Sequence, residues 1–476
     1  MAVHLIWFRN DLRIQDNLAL YHACKDDSAQ VIAIYIATPK QWRQHNMSPR
    51  QCHFIYQHLQ QLHISLNKLN ISLIYQEVDY FKDAISTIEL YCQKYQVTDI
   101  FFNQQYEWNE QQRDHKVIQL LHRKNIQCHF FDDAVLISPN HIVTANGSMY
   151  RVFTPFQRRY HQYFLQNALK IVDQPNLRHQ QQLPLQQSEL IRPFNYPLEA
   201  NHFFPVGETQ ALQLLDKFCR EDVEDYLNLR DLPAINGTSQ LSAYLTIGIL
   251  SPRQCLAKLQ SEHPRFLDFS RSGAYGWFCQ LVWREFYYHL LARYPKLSKN
   301  LPFIDWTKYI VWRNNQSDFI AWQNGLTGYP IVDAAMRQLK QTGWMHNRLR
   351  LITASFLVKD LLIDWRWGET YFMSQLIDGN LAANNGGWQW SASTGTDAAP
   401  YFRIFNPTTQ GQRFDPKGKF IRQYLPELAQ VPDKYIHQPH VWAKQQQIKL
   451  DYPTPIITHS QARLNTLNAY NDAKSR

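Results

Sequence analysis

The stretch that decides the fold and its chemistry is Asp378-Gly-Asn-Leu-Ala-Ala-Asn384-Asn-Gly-Gly-Trp388-Gln-Trp390. Its two adjacent glycines carry no Cβ, so the backbone there can turn sharply or approach a ligand closely. Its aspartate and asparagines offer hydrogen-bond donors and acceptors at short reach. We predict that this stretch lines a pocket for a large, flat ligand with polar edges. The alternative is a Gly-Gly turn followed by two core tryptophans.

The composition is that of a large globular protein. The chain has 476 residues, of which 45% are hydrophobic and 19% are charged, enough for two or three domains. Its formal net charge of +9 fits a polyanionic partner, although moderate basicity is also common in proteins that bind none. The seven cysteines are dispersed and form no CxxC pair, which argues against a disulfide framework or a zinc site and for a reducing compartment.

The N-terminal run Met-Ala-Val-His-Leu-Ile-Trp-Phe-Arg-Asn-Asp becomes charged after a short apolar segment. It therefore does not have the pattern of a signal peptide. No uninterrupted apolar run reaches the ~18 residues that a membrane-spanning helix needs. We expect a cytoplasmic protein that does not enter membranes.

Residues 1–133 alternate strand-like and helix-like segments, which predicts an α/β domain with a parallel, Rossmann-like sheet and helices on both faces. The predicted strands are Val3–Phe8, Val31–Ala37, Ile71–Val78, Asp99–Asn103 and Ile126–Phe131. Neither GxGxxG nor a Walker loop occurs, so the usual dinucleotide phosphate turn has no support.

Polar residues follow two of these strands, where ligands of open α/β sheets collect. The first group is 9–17, and the second is 104–110, which ends in Asn109 and Glu110. These last two side chains fit a polar ring system. The local chemistry alone favours the alternative, in which they cap a helix N-terminus.

The chain after residue 133 divides into a linker and a helical region. Residues 134–200 lose the alternation and include a biased run that begins at His179, so we predict a long wrapped linker. Residues 201–476 predict a larger all-α domain. Its predicted helices are Ala211–Phe218, Gln254–Leu259, Trp277–Tyr294, Pro330–Leu339 and Arg348–Leu362.

Two groups of charged residues in the helical region are candidates for binding. Arg350 lies near the start of a predicted buried helix and needs an anionic partner, for which Asp378 is a candidate. Residues 400–424 mix basic and aromatic side chains, which suits a nucleic-acid backbone with unstacked bases. The alternatives are a structural ion pair and a solvated basic face.

The chain resembles the photolyase/cryptochrome family, and within it the class I cyclobutane pyrimidine dimer photolyases of the bacterial folate-containing kind. The similarity runs from Trp7 to about Tyr470. Four runs carry it most strongly: 327–337 (TGYPIVDAAMR), 344–350 (WMHNRLR), 384–390 (NNGGWQW) and 401–407 (YFRIFNP).

The resemblance implies an N-terminal antenna domain and a C-terminal domain that binds FAD. Asn384 would lie near flavin N5, where an amide favours the reduced cofactor. The other implied FAD-binding residues are Tyr226, Thr238, Ser239, Gln240, Leu241, Ser242, Trp277, Arg284, Asn347, Arg350, Asp378 and Asn380. Thr238 and Ser239 are expected at a helix start whose free N–H groups suit a phosphate.

The implied substrate is UV-damaged DNA carrying a pyrimidine dimer, which photolyases flip out of the duplex. Trp283 and Trp390 would pack against the dimer, with Met345 close by. Arg230, Arg348 and Arg403 would hold phosphates. In the implied reaction, excited FADH⁻ donates an electron to the dimer, the cyclobutane ring opens and the electron returns to the flavin.

The resemblance also implies an electron relay and an antenna. Trp388, Trp365 and Trp312 match the family's relay from flavin to surface, although core packing is the commoner role of tryptophan. His45, Asn109, Glu110 and Lys299 match positions that hold 5,10-methenyltetrahydrofolate, which reverses the capping interpretation of Asn109 and Glu110.

Two positions depart from the family pattern. Gln280 replaces a glutamate that hydrogen-bonds the dimer; glutamine keeps a donor but loses the charge. Asn380 replaces an aspartate beside the flavin, which we expect to raise the flavin potential. Gln280 also occurs in (6-4) photolyases and animal cryptochromes, so the alternatives are a (6-4) photolyase and a cryptochrome-like blue-light sensor. We expect a monomer without an obligate protein partner.

Overall fold

The computed structural model describes residues 2–179 and 191–476, so most of the biased run after His179 lies outside the described residues. Five strands form one sheet. They are β1 (Val3–Phe8), β2 (Gln30–Ala37), β3 (Ser72–Glu77), β4 (Asp99–Asn103) and β5 (Gln127–Phe131). All five predicted strands are confirmed: β1 and β4 have the predicted bounds, β2 and β5 differ by one residue at the first position, and β3 is one residue shorter at each end.

The sheet is parallel throughout, as predicted, and its strand order is β3-β2-β1-β4-β5. β1 lies at its centre and all six of its residues are buried, which explains why five of the six are apolar. Leu5 and Trp7 pack with Ile88 and Val117 on one face. His4 points to the other face, where its ring bonds the backbone oxygen of Ala23 at 2.8 Å.

The described residues also contain twenty α-helices and several short 3-10 or π-helical turns. The first ten are α1 (Leu18–Ala23), α2 (Pro39–Gln44), α3 (Pro49–Asn67), α4 (Phe81–Lys94), α5 (Trp108–His122), α6 (Phe153–Gln166), α7 (Glu208–Lys217), α8 (Tyr226–Leu229), α9 (Ser242–Thr246) and α10 (Pro252–Glu262). The others are α11 (Gly273–Arg293), α12 (Gln316–Asn324), α13 (Pro330–Thr342), α14 (Asn347–Ser355), α15 (Trp365–Gln375), α16 (Leu381–Ser391), α17 (Pro407–Phe414), α18 (Lys419–Tyr424), α19 (Pro439–Gln446) and α20 (His459–Lys474). No helix in these described ranges is long and apolar enough to cross a membrane.

The chain forms two compact units. The first comprises Met1–Val223, Ser239–Pro295 and Ile377–Asn380, and the second comprises Glu224–Thr238, Lys296–Leu376 and Leu381–Arg476. The first unit therefore contains the sheet and α11, whereas the second contains α8 and α12–α20. The domain bounds expected from the sequence (1–133, 134–200 and 201–476) remain a prediction.

The expected linker contains α6, which packs against α11 within the first unit. Further along, the buried guanidinium of Arg178 donates to the backbone oxygens of Cys24, Asp26 and Ala29 at 2.7–2.8 Å. These bonds hold the residues just before position 180 against the turn between α1 and β2.

The second unit is built around α13 and α14. Pro330 is the first residue of α13, where its missing N–H is not needed, and Gly343 ends the helix with φ +70°. The predicted helix Arg348–Leu362 consists of α14 followed by a π-helical turn, Phe356–Asp360, whose residues are all buried. The prediction of a central buried helix is thus confirmed, with a change of helix type at Phe356.

Candidate active site

The stretch 381–391 forms helix α16, so the alternative of a Gly-Gly turn is wrong. Gly386 and Gly387 both lie within this helix, and neither has a positive φ. Asn384 is buried, and its Nδ2 donates to the backbone oxygen of Glu369 at 3.0 Å. This bond orients the Asn384 amide, with its nitrogen toward the Glu369 backbone. The amide oxygen, Oδ1, can accept a hydrogen bond from another group.

A buried chain of amides supports Asn384 from the neighbouring position. Asn385 Nδ2 donates to the Glu369 carboxyl at 2.9 Å, and Gln389 Nε2 donates to Asn385 Oδ1 at 2.9 Å. Gln389 Oε1 in turn accepts from the backbone N–H of Phe303 at 2.9 Å. Burial raises the pKa of Glu369 to about 7. α15 and α16 are therefore held together by a polar network inside the second unit.

Trp388 lies one turn after Asn384 and is 2% exposed. Its ring packs edge-on against Phe372, with centroids 4.9 Å apart, and is 6.1 Å from Trp322. A Cβ on Gly368 would lie 2.1 Å from Trp388 Cη2. Glycine is therefore required at 368 because the indole occupies the space of a side chain.

The other two tryptophans of the expected relay differ in exposure. Trp365 is 1% exposed at the start of α15, with the Arg366 guanidinium 4.8 Å from its ring. Trp312 is half-buried and packs edge-on against Tyr470 at 6.2 Å. The three indoles thus include two interior rings and one that reaches the surface.

The segment that opens α14 presents several expected binding residues. His346 caps the helix by accepting from the N–H of Arg348 at 3.2 Å, and burial lowers the pKa of His346 to about 4. A neutral imidazole can accept this bond. Met345 is buried, and its backbone oxygen accepts from Arg350 Nε at 2.8 Å. Asn347 is exposed on the first turn of α14.

Arg348 and Arg230 share a carboxylate in the second unit. Arg348 Nη2 lies 2.9 Å from Asp231, and Arg230 Nε lies 3.9 Å from it. The Arg230 guanidinium also lies 5.4 Å from the ring of Tyr226. Asp231 thus lies beside two of the three arginines that were expected to hold phosphates.

Thr238 and Ser239 do not begin a helix, so that expectation is wrong. α9 begins later, at Ser242, with Leu241 in the N-cap position. Gln240, two residues before α9, has φ +52°, so the chain is not helical at that point. The sequence signal misplaced the helix start because Ser and Thr favour turns as well as caps.

Helix α11 brings four expected site residues of the first unit together. Trp277 is buried against Phe218, whereas Gln280, Trp283 and Arg284 follow at helical spacing and are half-buried on neighbouring positions of one face. Arg284 donates to the backbone oxygen of Ala134 at 2.7 Å.

Residues 377–380 belong to this same unit. Asn380 Nδ2 donates to the hydroxyl of Tyr288 at 2.8 Å, and Gly379 accepts from Gln51 Nε2 at 2.7 Å. The backbone oxygen of Asp378 accepts from the Thr246 hydroxyl at 3.4 Å. The pairing of Asp378 with Arg350 remains a prediction.

His45, Asn109 and Glu110 meet in the first unit. His45 Nε2 lies 3.0 Å from Asn109 Nδ2, and His45 Nδ1 lies 3.5 Å from Glu110. The N-cap residue of α5, Glu107, makes no side-chain cap hydrogen bond, and the capping interpretation of Asn109 and Glu110 stays a prediction. Burial raises the pKa of both Glu107 and Glu110. Lys299 is exposed and belongs to the second unit.

Two expected DNA contacts have large exposed or half-exposed side chains. Trp390 is half-buried at the end of α16, and Arg403 is exposed beside Phe402, which is 62% exposed. An aromatic and a cation side by side on the surface can bind a base and a phosphate. In the described ranges, no cluster of three or more His, Cys, Asp or Glu could hold a metal ion.

Sequence reasoning missed four residues that support this site. They are Phe153, whose ring stacks on Trp283 with the centroids 3.6 Å apart, and Asp231, Gly368 and Glu369. Gly368 and Glu369 lie three and four residues after Trp365, a spacing that places them on its helix face and could have drawn attention to them. Phe153 and Asp231 carry no local signal.

Comparisons with known proteins give a consistent result along the chain. Residues 4–176 match a family model described as DNA photolyase, and residues 277–472 match one described as the FAD binding domain of DNA photolyase. The deoxyribodipyrimidine photo-lyase of Salmonella typhimurium is 53% identical, and that of Escherichia coli is 52% identical. Each alignment covers 100% of this chain and 99% of the relative.

Two solved structures are similar over nearly the whole chain. A bacterial class III photolyase from Agrobacterium tumefaciens superposes with a TM-score of 0.89 at 34% identity, covering 100% of this chain and 98% of that one. A cryptochrome from Synechocystis superposes with a TM-score of 0.88 at 28% identity, covering 98% and 99%.

Proposed function

The chain belongs to the DNA photolyase family, and from that premise we propose that it uses light to split cyclobutane pyrimidine dimers in DNA. The observation that carries this proposal is 53% identity to a deoxyribodipyrimidine photo-lyase across the full length of both chains. The reaction is a carbon–carbon lyase reaction within the DNA strand. When bound, reduced FAD supplies the light-driven electron that opens the cyclobutane ring.

The buried amide of Asn384 fits this cofactor. Its nitrogen is fixed by the Glu369 backbone, so its oxygen can accept from a donor on the ligand. Reduced flavin carries an N–H at its central ring, whereas the oxidised ring presents an acceptor at that position. Asn384 would therefore favour the reduced, active form.

The remaining cofactor residues would act by charge and hydrogen bonding. Asn347 and Arg350 on α14, and Arg284 on α11, suit the phosphates and ribose of a dinucleotide. Asp378 would accept from the flavin ring edge, and Asn380 would contact the same edge without adding a charge. The further members of this set are Tyr226, Thr238, Ser239, Gln240, Leu241, Ser242 and Trp277.

Recognition of the lesion would combine aromatic walls with cations. Trp283 and Trp390 would pack on the two bases of the dimer, with Met345 beside them, and Gln280 would donate to a base carbonyl. Arg230, Arg348 and Arg403 would neutralise phosphates, so binding should weaken as salt concentration rises.

The three tryptophans would carry electrons independently of repair. Trp388 and Trp365 are interior rings and Trp312 reaches the surface. They offer a route by which an external reductant can restore the active state. Replacing one of them should slow reactivation and leave repair by already reduced protein unchanged.

For the antenna, we propose 5,10-methenyltetrahydrofolate at the His45 cluster. Asn109 and Glu110 offer an amide and a carboxylate to a pterin edge, and Lys299 offers a charge for the carboxylates of a folate. Glu110 Oε2 is buried without a hydrogen-bond partner, which supports a ligand donor there. We further propose a cytoplasmic monomer that needs no protein partner.

A blue-light sensor is the second candidate, because the Synechocystis cryptochrome has a closely similar fold. The higher identity to deoxyribodipyrimidine photo-lyases favours repair over sensing. The (6-4) lesion is a third possibility, supported by Gln280 alone.

The deciding experiment is repair of an oligonucleotide with a single thymine dimer by reduced protein under blue light, with a dark control. Light-dependent recovery of intact thymines is expected. Binding of the lesion without repair would favour the sensor, and repair of a (6-4) photoproduct alone would change the assigned lesion.

A further inference from the structure

Lys359 is a buried lysine that lies outside the residues assigned so far. It belongs to the π-helical turn Phe356–Asp360 and is 1% exposed. Across residues 2–179 and 191–476, no carboxylate lies within ion-pair distance of its Nζ. Burial accordingly lowers the pKa of Lys359 to about 7. An amino group kept in such an environment is costly, which indicates a specific role for its hydrogen bonds.

These hydrogen bonds go to the chain that follows α16. Nζ lies 2.9 Å from Ser393 Oγ, 3.2 Å from the backbone oxygen of Arg403 and 3.5 Å from that of Pro400. The N–H of Arg403 bonds the oxygen of Pro400 at 2.9 Å and closes a turn. Lys359 thus hydrogen-bonds both ends of the turn 400–403 from its buried side.

Helix α20 supports the same turn from the side. The Tyr401 ring stacks on Tyr470, with centroids 5.8 Å apart and planes 9° apart, and its hydroxyl donates to Asn471 at 2.9 Å. The Thr466 hydroxyl donates to the backbone oxygen of Lys359 itself. The turn is therefore fixed on its inner side, while Arg403 on its outer side remains exposed.

We propose that Lys359 is a positioning residue for DNA binding, whose Nζ holds the turn 400–403 so that Arg403 meets a DNA phosphate in a preset position. This inference rests on the proposed function and deepens it. Ordering a flexible turn on binding costs conformational entropy, and a turn that is already fixed avoids that cost.

The three partners of Nζ explain why lysine suits this position. An ammonium has three N–H donors for the Ser393 hydroxyl and the two carbonyls. A neutral amine has two donors for the carbonyls and accepts a hydrogen bond from the same hydroxyl. The turn therefore stays hydrogen-bonded to Nζ in both protonation states. This requires a hydroxyl at 393, because a hydroxyl can accept from the ammonium and donate to the neutral amine.

The test is a double-mutant cycle with Lys359→Met and Arg403→Ala, using a duplex that carries one thymine dimer. Lys359→Met should weaken binding about tenfold in the wild-type background and by less than twofold when Arg403 is already alanine. The dependence of log Kd on log salt should fall by up to about one in Lys359→Met, as for the loss of one phosphate contact. Losses that add in the double variant, or an unchanged salt slope, would overturn the proposal.

A second variant keeps the test usable if Lys359→Met does not fold. Ser393→Ala removes one of the three partners of Nζ and keeps the lysine. It should speed hydrogen exchange of the Arg403 amide in the DNA-free protein and weaken dimer binding several-fold; unchanged exchange would contradict the proposal. If the wild-type protein binds dimer-containing DNA no better than undamaged DNA, the proposed function is wrong. If it prefers the dimer but the losses in the double-mutant cycle are additive, only the proposed role of Lys359 is wrong.

Discussion

The ring of Phe153 lies flat against the indole of Trp283, with the ring centroids 3.6 Å apart and the planes 7° apart. Phe153 begins α6, in the segment expected to be a linker, and is buried. One face of Trp283 is therefore occupied within the protein, and its orientation is set before any substrate binds.

Replacing Phe153 with leucine should loosen Trp283 and reduce discrimination between dimer-containing and undamaged DNA. A stacked aromatic pair contributes about 0.5–1.5 kcal/mol beyond its buried area, so we expect the ratio of the two dissociation constants to fall roughly two- to twelvefold. Phe156→Leu is the matched control, because Phe156 is buried on the same helix and packs on Phe286. An equal loss of discrimination in both variants would contradict a specific role for Phe153.

Gly368→Ala should displace the indole of Trp388, since the added Cβ would lie 2.1 Å from Cη2. We expect a loss of about 1–3 kcal/mol in the free energy of unfolding and slower photoreduction of oxidised protein. Gly387→Ala is the control, because its Cβ would meet no atom within 4 Å and alanine favours a helix. Urea denaturation and flash photolysis measure the two effects, and a fully stable Gly368→Ala variant would argue against this packing.

Glu369→Gln should change how stability depends on pH. Burial raises the pKa of Glu369 from 4.5 to about 7, so between these values the folded protein holds a proton that the unfolded chain has lost. The wild-type protein should therefore lose stability relative to the variant as pH rises from 4.5 to above 7, by at most about 3.4 kcal/mol.

Urea denaturation across this pH range measures the difference, with Glu224→Gln at an exposed glutamate as the control. A wild-type-minus-variant difference that is flat from pH 4.5 to 7.5 would show that Glu369 ionises normally in the folded protein.

The sheet was predictable from sequence because its strands are short, apolar and separated by helical spacing, and a buried strand such as β1 has no competing interpretation. The helix α16 was not predictable from sequence, because Asn384, Asn385 and two glycines have low helix propensity. Its stability comes from tertiary contacts that no local pattern shows, namely the Glu369 carboxyl and the amide chain through Gln389.

The residue types of the site were visible in the sequence, but their supports were not. Arg348 was a candidate because of its charge, whereas its partner Asp231 is distant in sequence and lies in a stretch without a motif. The stack of Phe153 on Trp283 likewise joins positions that only the fold brings together. Resemblance to a family supplied roles for single residues, and the structure supplies what holds those residues in place.

Gln280→Glu should raise the number of dimers repaired per absorbed photon. Gln280 precedes Trp283 by one helical turn on α11 and is half-buried, so its side chain lies beside the proposed aromatic wall. A protonated carboxyl group at position 280 would donate to the same base carbonyl and, unlike an amide, could also pass its proton to a developing negative charge on the dimer. We expect repair yield at saturating DNA to rise, with Gln260→Glu on the exposed face of α10 as the control. If the yields are equal, the glutamine already provides all that the dimer needs at this position, and the departure from the family pattern has no consequence for the chemistry.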